Sequence, residues 1–153
     1  MTKYQTEIEN LRKACDIAIE AYTNYSPKNW KQSDIDWFVL CTNQTKSGLI
    51  DRKPPYNNLS SLKYEYQDVF TYFQEGSGQT VEEFWKIIRE EGLPYKRENK
   101  LAKILKRGKV KSHIEYDFIK DLIGPYKQEG IISESEESFL DGILVAFEVK
   151  NKK

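Results

Sequence analysis

Three times in this chain a serine or threonine is followed, three residues on, by a glutamate that opens an apolar helical stripe: Thr80 with Glu83, Ser112 with Glu115, Ser133 with Glu136. In such a pair the hydroxyl accepts from the N–H three residues later, and the glutamate reaches back to the cap N–H. The stripes that follow are Phe84, Trp85, Ile87 and Ile88; then Ile114, Phe118, Leu122 and Ile123; then Phe139, Leu140, Ile143, Leu144 and Phe147. Repeated start signals of this kind, each with period-3.6 apolar spacing, constrain the chain to helices. No strand signal of comparable strength exists, although short extended pieces near Ile50 or Val110 stay open.

The remaining chain reads the same way. Ile8, Leu11, Cys15, Ala18 and Tyr22 step by three and four along one face of a helix over 4–22. Ser33 is a suitable N-cap for a second helix with Asp34 and Asp36 in its first turn. Its body, Ile35 and then Trp37 to Cys41, is apolar nearly all round, so it is predicted to be the most buried helix, with Gly48 as its stop. Residues 49–58, with Pro54, Pro55 and Asn57-Asn58, read as a loop. A third helix is predicted over 60–74 with Leu62, Tyr66, Val69 and Phe73 as its stripe. Gly76-Ser77-Gly78 breaks it. A lysine-rich helix is predicted over 96–107 with Leu101, Ile104 and Leu105 inward and Gly108 as its stop. Pro125 kinks or ends the helix after Ser112. Residues 150–153 are expected to fray. The predicted fold is therefore all-α, a single-domain bundle of six or seven helices over 1–153 around one core, with a soft boundary near 76–79.

Length and composition permit this. A chain of 153 residues buries roughly 70% of its unfolded surface without staples. Charged residues are 31% of the chain and mean hydropathy is −0.72, which favours disorder, but net charge is zero and aromatics are 13%. Disordered segments lack aromatic residues and carry net charge. The two cysteines, Cys15 and Cys41, occupy apolar helical positions and read as buried thiols rather than a disulfide. The first seven residues carry no apolar targeting stretch, and no run reaches the roughly 20 residues of a membrane span. A cytoplasmic protein with no membrane association is the expectation.

Motifs for catalysis are missing. His113 is the sole histidine, and, placed just after a cap, it reads as an exposed surface group. No close ligand pair suggests zinc, and Gly76-Ser77-Gly78 lacks the lysine and strand of a phosphate loop. Neighbouring acids such as Glu82-Glu83 and Glu90-Glu91 point about 100° apart on a helix and do not converge. No cofactor, metal or catalytic residue is therefore expected. An enzyme built from scattered residues is a third reading with no motif behind it.

Charge distribution carries more. Residues 96–111 hold eight basic residues against Glu98 alone, a local charge of about +7. Within them Lys96, Lys100, Lys103 and Arg107 would align on one helical face. Residues 129–141 hold five acids, Glu129, Glu134, Glu136, Glu137 and Asp141, and no base. Such patches steer charged partners, although both also fit ordinary solvated faces. Trp30 and Tyr56 fall in predicted loops and are the candidate exposed aromatic anchors.

Residues 105–112 (Leu-Lys-Arg-Gly-Lys-Val-Lys-Ser), 115–119 (Glu-Tyr-Asp-Phe-Ile) and 130–136 (Gly-Ile-Ile-Ser-Glu-Ser-Glu), followed by a leucine-rich helix, resemble small helical bacterial immunity proteins of toxin–immunity pairs. The likeness covers about a third of the chain, and no functional residue is carried over from it. It implies a non-catalytic, protein-binding inhibitor, an antitoxin that occludes the active site of a cognate toxin. Glu134, Glu136, Glu137 and Asp141, with Trp30 or Tyr56, are the candidate contacts. Nuclease immunity proteins are often strongly acidic, whereas this chain is neutral, so the target need not be a nuclease, or only the 129–141 patch masks it. The alternative reading is a nucleic-acid-associated module using Lys96, Lys100, Lys103 and Arg107. Against that stand the neutral chain and the absence of aromatic residues among the lysines.

Overall fold

The computed structural model describes residues 1–151. They form seven α-helices and no strand, an all-α protein: α1 (Lys3–Asn24), α2 (Gln32–Gly48), α3 (Leu62–Glu75), α4 (Gln79–Glu90), α5 (Ala102–Arg107), α6 (His113–Gln128) and α7 (Glu134–Asn151). A single 3-10 turn, Leu59–Ser61, precedes α3. Of the residues expected to fray, Lys150 and Asn151 belong to α7; Lys152 and Lys153 lie outside the described residues. The chain divides into two compact units, Met1–Arg97 and Glu98–Lys153. Where one core was expected there are two buried clusters, one in each unit.

In the first unit α1 packs against α2, α3 and α4. The α1 stripe is buried as its spacing requires: Leu11, Cys15, Ala18 and Tyr22, with Ile8 packed against them. Phe70, Phe73, Val81, Phe84 and Ile88, all fully buried, belong to the same cluster. Phe73 and Phe84 stack with centroids 3.7 Å apart, and Trp85 Nε1 donates to the Phe73 carbonyl at 2.8 Å. The Gly76–Gly78 break lies inside this unit, between α3 and α4. Gly76 is required there: a Cβ would lie 2.6 Å from the Tyr72 carbonyl oxygen.

In the second unit α7 packs against α6 and α5. Leu101, Ile119, Leu122, Tyr126 and Leu140 form its fully buried centre. Gly108 closes α5 with φ 81°, the left-handed conformation that a side chain disfavours.

Three expectations are corrected. The second helix is not the most buried: only Thr42 of α2 is buried, while Trp37 is 61% and Leu40 50% exposed. Consecutive apolar residues turn by about 100° each, so a run such as 37–41 surrounds the helix, and α2 packs on one side only. Thr80 is no N-cap. It sits within α4, whose N-cap is Gly78, and its buried hydroxyl donates to the Tyr25 carbonyl instead. Likewise α2 begins at Gln32 and not after Ser33; Asp34 accepts the Lys31 N–H at 2.9 Å. Pro125, expected to kink or end the helix after Ser112, lies inside α6, which runs on to Gln128. The Ser133 box forms as predicted, with both arms to Glu136 at 2.9 and 3.1 Å, while Ser112 caps α6 by accepting the Glu115 N–H at 3.1 Å and the Glu115 carboxylate accepts from the Lys111 N–H in place of the Ser112 N–H.

Candidate functional site

The acidic residues are brought together on α7. Glu134, Glu137 and Asp141 are three and four residues apart and share one face. Glu134 and Asp141 are exposed and Glu137 is half-buried. None of the three has an ion-pair partner among the described residues. Glu136 points elsewhere, because its carboxylate holds the Ser133 N–H at the helix start. The buried face of α7, with Leu140, Ile143 and Leu144, adjoins this stripe on the side of Glu137, which is therefore half-buried.

The basic residues do not share one helix. The helix expected over 96–107 begins only at Ala102, so Lys96 and Lys100 precede it and only Lys103 and Arg107 share α5. The cause is side-chain competition for the backbone. Gln74 Nε2 donates to the Lys96 carbonyl at 3.0 Å. Tyr126 Oη bonds the Glu98 carbonyl and the Lys100 N–H, each at 3.2 Å. Asn99 Oδ1 accepts from Leu101 N–H at 2.9 Å. Backbone groups held by side chains cannot join a helical ladder. Lys100 also pairs with Glu98 at 2.9 Å. Arg107 forks onto Glu115, Nη1–Oε1 2.5 Å and Nη2–Oε2 3.1 Å. That bond holds the Glu115 carboxyl below its ordinary range against partial burial, and the Lys111 N–H adds to it.

Of the two aromatic candidates, Tyr56 is 64% exposed in its loop. Trp30 is not an exposed anchor. It is half-buried and stacks on Phe38 at 4.4 Å and on Tyr22 at 5.7 Å. An indole so placed fills the gap between α1 and α2 and is structural.

A groove that the sequence reading missed runs between α2 and α3. It consists of three adjoining hollows of about 540, 460 and 400 Å³. Trp37, Cys41, Thr45 and Gly48 line it from α2. From α3 come Glu65, Asp68, Tyr72 and Glu75. Their spacing of three, four and three is one helical stripe, next to the buried stripe of Leu62, Val69 and Phe73. Glu65 Oε1 is tied to Arg52 at 3.0 Å, while its Oε2 is shut from solvent with no hydrogen-bond partner. Asp68 and Glu75 are exposed and have no ion pair among the described residues. Loss of hydration raises the Asp68 pKa above its ordinary value, and the Glu65 charge raises it further. Tyr56 and Tyr64 stand at the far end.

Comparison with protein-family models, curated proteins and solved structures finds no match. The site is therefore read from its own chemistry. Among the described residues no three His, Cys, Asp or Glu side chains assemble as a metal site. No described helix is long and apolar enough to cross a membrane. The single histidine, His113, is exposed and packs edge-on to Phe147 at 5.1 Å. Cys15 is fully buried and burial pushes its thiol up to about 12, whereas Cys41 is partly exposed in the groove. Both acidic surfaces place carboxylates on a helix face, and beside the groove stands the large exposed indole of Trp37.

Proposed function

We propose that this protein is a non-catalytic inhibitor that binds a protein partner, of the type of the immunity proteins of toxin–immunity pairs, and blocks its target's active site by covering it. The observation that carries this reading is the stripe of Glu134, Glu137 and Asp141, unpaired on one face of α7. Unpaired surface acids on a rigid element steer a basic partner and set orientation while contributing little to stability. Glu136 is left out of this stripe because its carboxylate caps the start of α7. A nucleic-acid module has less support, because Lys96, Lys100, Lys103 and Arg107 do not share a helix and Arg107 is engaged by Glu115.

The test is affinity capture of the tagged full-length protein from its native host, with and without nuclease. The inhibitor reading expects one stoichiometric protein that survives nuclease treatment and is lost when Glu134, Glu137 and Asp141 are together changed to lysine, with no fall in thermal stability. Retention of the partner by that variant removes the α7 stripe from the interface. Nucleic acid, or proteins released by nuclease, would replace the reading with the basic one.

A further inference from the structure

The acids of α3 and the indole of α2 form a second surface whose chemistry is specific enough to name its occupant. Trp37 is 61% exposed although it belongs to a helix with a packed face available. It lines the same 540 Å³ hollow as Tyr72, Asp68 and Glu75. Neither this hollow nor its neighbour at Cys41 and Glu65 is lined by any lysine or arginine. An aromatic face attracts a cation within about 6 Å of its centroid, and a carboxylate adds a charge-assisted hydrogen bond. An ammonium or guanidinium group satisfies both at once, and its alkyl stem suits the apolar wall. A neutral apolar side chain would leave Asp68 unpaired and further desolvated, and an acidic one would be repelled.

We propose that the α2–α3 groove is the docking site for a basic segment of a partner protein, with one lysine or arginine side chain entering between Trp37 and Tyr72 and meeting Asp68 and Glu75. This rests on the protein-binding reading and gives the partner its chemistry. Asp68 contributes to binding at a cost to the free protein, since its charge is unpaired and partly desolvated until the cation arrives.

Cys41 supplies the readout. It lines the groove, while Cys15 is buried and silent. The rate of Cys41 alkylation is measured on the full chain with acetylated, amidated deca-arginine and with deca-glutamate as the control peptide. Deca-arginine is expected to slow labelling several-fold at low salt, and deca-glutamate not at all. The double variant Asp68→Asn, Glu75→Gln is expected to lose the protection, and so is Trp37→Ala. Both keep the fold, because all three side chains are exposed, and intact circular dichroism confirms it. Absence of protection, or protection undiminished in the double variant, overturns the proposal. Self-association that the double variant abolishes would assign the groove to a second copy and also overturn it. A host partner captured by the double variant as fully as by the wild type sinks the groove and leaves the inhibitor reading standing. Peptide protection with no protein captured by the wild type does the reverse.

Discussion

The residues whose substitution should matter most to stability are those that the patterns placed inward. Phe84 is fully buried and stacks on Phe73 at 3.7 Å. Phe84→Ala leaves a cavity between α3 and α4 that rigid neighbours cannot fill. The expected loss is about 3–5 kcal/mol, read as a fall in the urea midpoint at unchanged pH. Such positions were legible because burial follows spacing. Leu11, Val69, Phe73, Leu122 and Leu140 could be named from period alone, whereas in α6 Ile114, placed in the stripe, is 84% exposed and Ile119, left out of it, is fully buried. Trp30 could not. A tryptophan in a turn carries no periodic signal, and its stacking on Phe38 and Tyr22 depends on how α1 and α2 meet.

Glu115 is a second case at this scale. Its pKa is lowered in the fold by Arg107, so its contribution is present above the unfolded carboxylate range, near 4.3, and is lost as pH falls through the folded value. Glu115→Gln should therefore lower stability at pH 7. The difference from wild type should shrink steadily below about pH 4, the unfolded carboxylate range. Denaturant titrations of both proteins across pH 2–7 check this; a constant difference would mean that packing, and not the charged pair, is what Glu115 provides.

At the scale of elements, helix existence was readable and helix boundaries were contested by long-range groups. The stretch 96–101 has the composition of a helix, yet Gln74 and Tyr126 hold its carbonyls and N–H groups. Those residues are more than 20 positions away, so no local pattern announces them. Thr80 and Glu83 have capping-box spacing, but Tyr25 accepts the Thr80 hydroxyl and the helix starts at Gln79 instead. The α2–α3 groove was partly legible. Glu65, Asp68, Tyr72 and Glu75 form a stripe in sequence, but only the packing of α2 beside them makes the stripe one wall of a groove. The α3–α4 corner is fixed more tightly than a generic glycine break. In Gly76→Ala the new Cβ would sit 2.6 Å from the Tyr72 carbonyl, an atom that cannot rotate away. The corner must shift, at a cost of about 1–3 kcal/mol. Hydrogen exchange should show the added opening at the C-terminal turn of α3, where the Gly76 N–H now bonds Tyr72 at 2.7 Å.

On the scale of the whole molecule the controlling fact is zero net charge made of unequal parts. A net value of zero gives no long-range attraction to anything, so steering must come from local fields at α7 and at the α3 stripe. Such fields reach about one Debye length, roughly 10 Å at 0.1 M salt and 30 Å at 0.01 M. Association with a basic partner should accordingly be fast at low salt. Its on-rate should fall steeply as salt rises, while the dissociation rate, governed by short-range contacts, changes little. Stopped-flow measurement of both rates with the captured partner, from 10 mM to 500 mM salt, tests this. Two variants divide the outcome. Neutralising Glu134, Glu137 and Asp141 together should flatten the salt dependence of the on-rate and leave dissociation near the wild-type value, because these acids stand on an open helix face. Removing Asp68 and Glu75 should instead quicken dissociation, since a cation held between aromatic walls is shielded from salt. If only one of the two variants changes either rate, the surface it alters alone faces the partner.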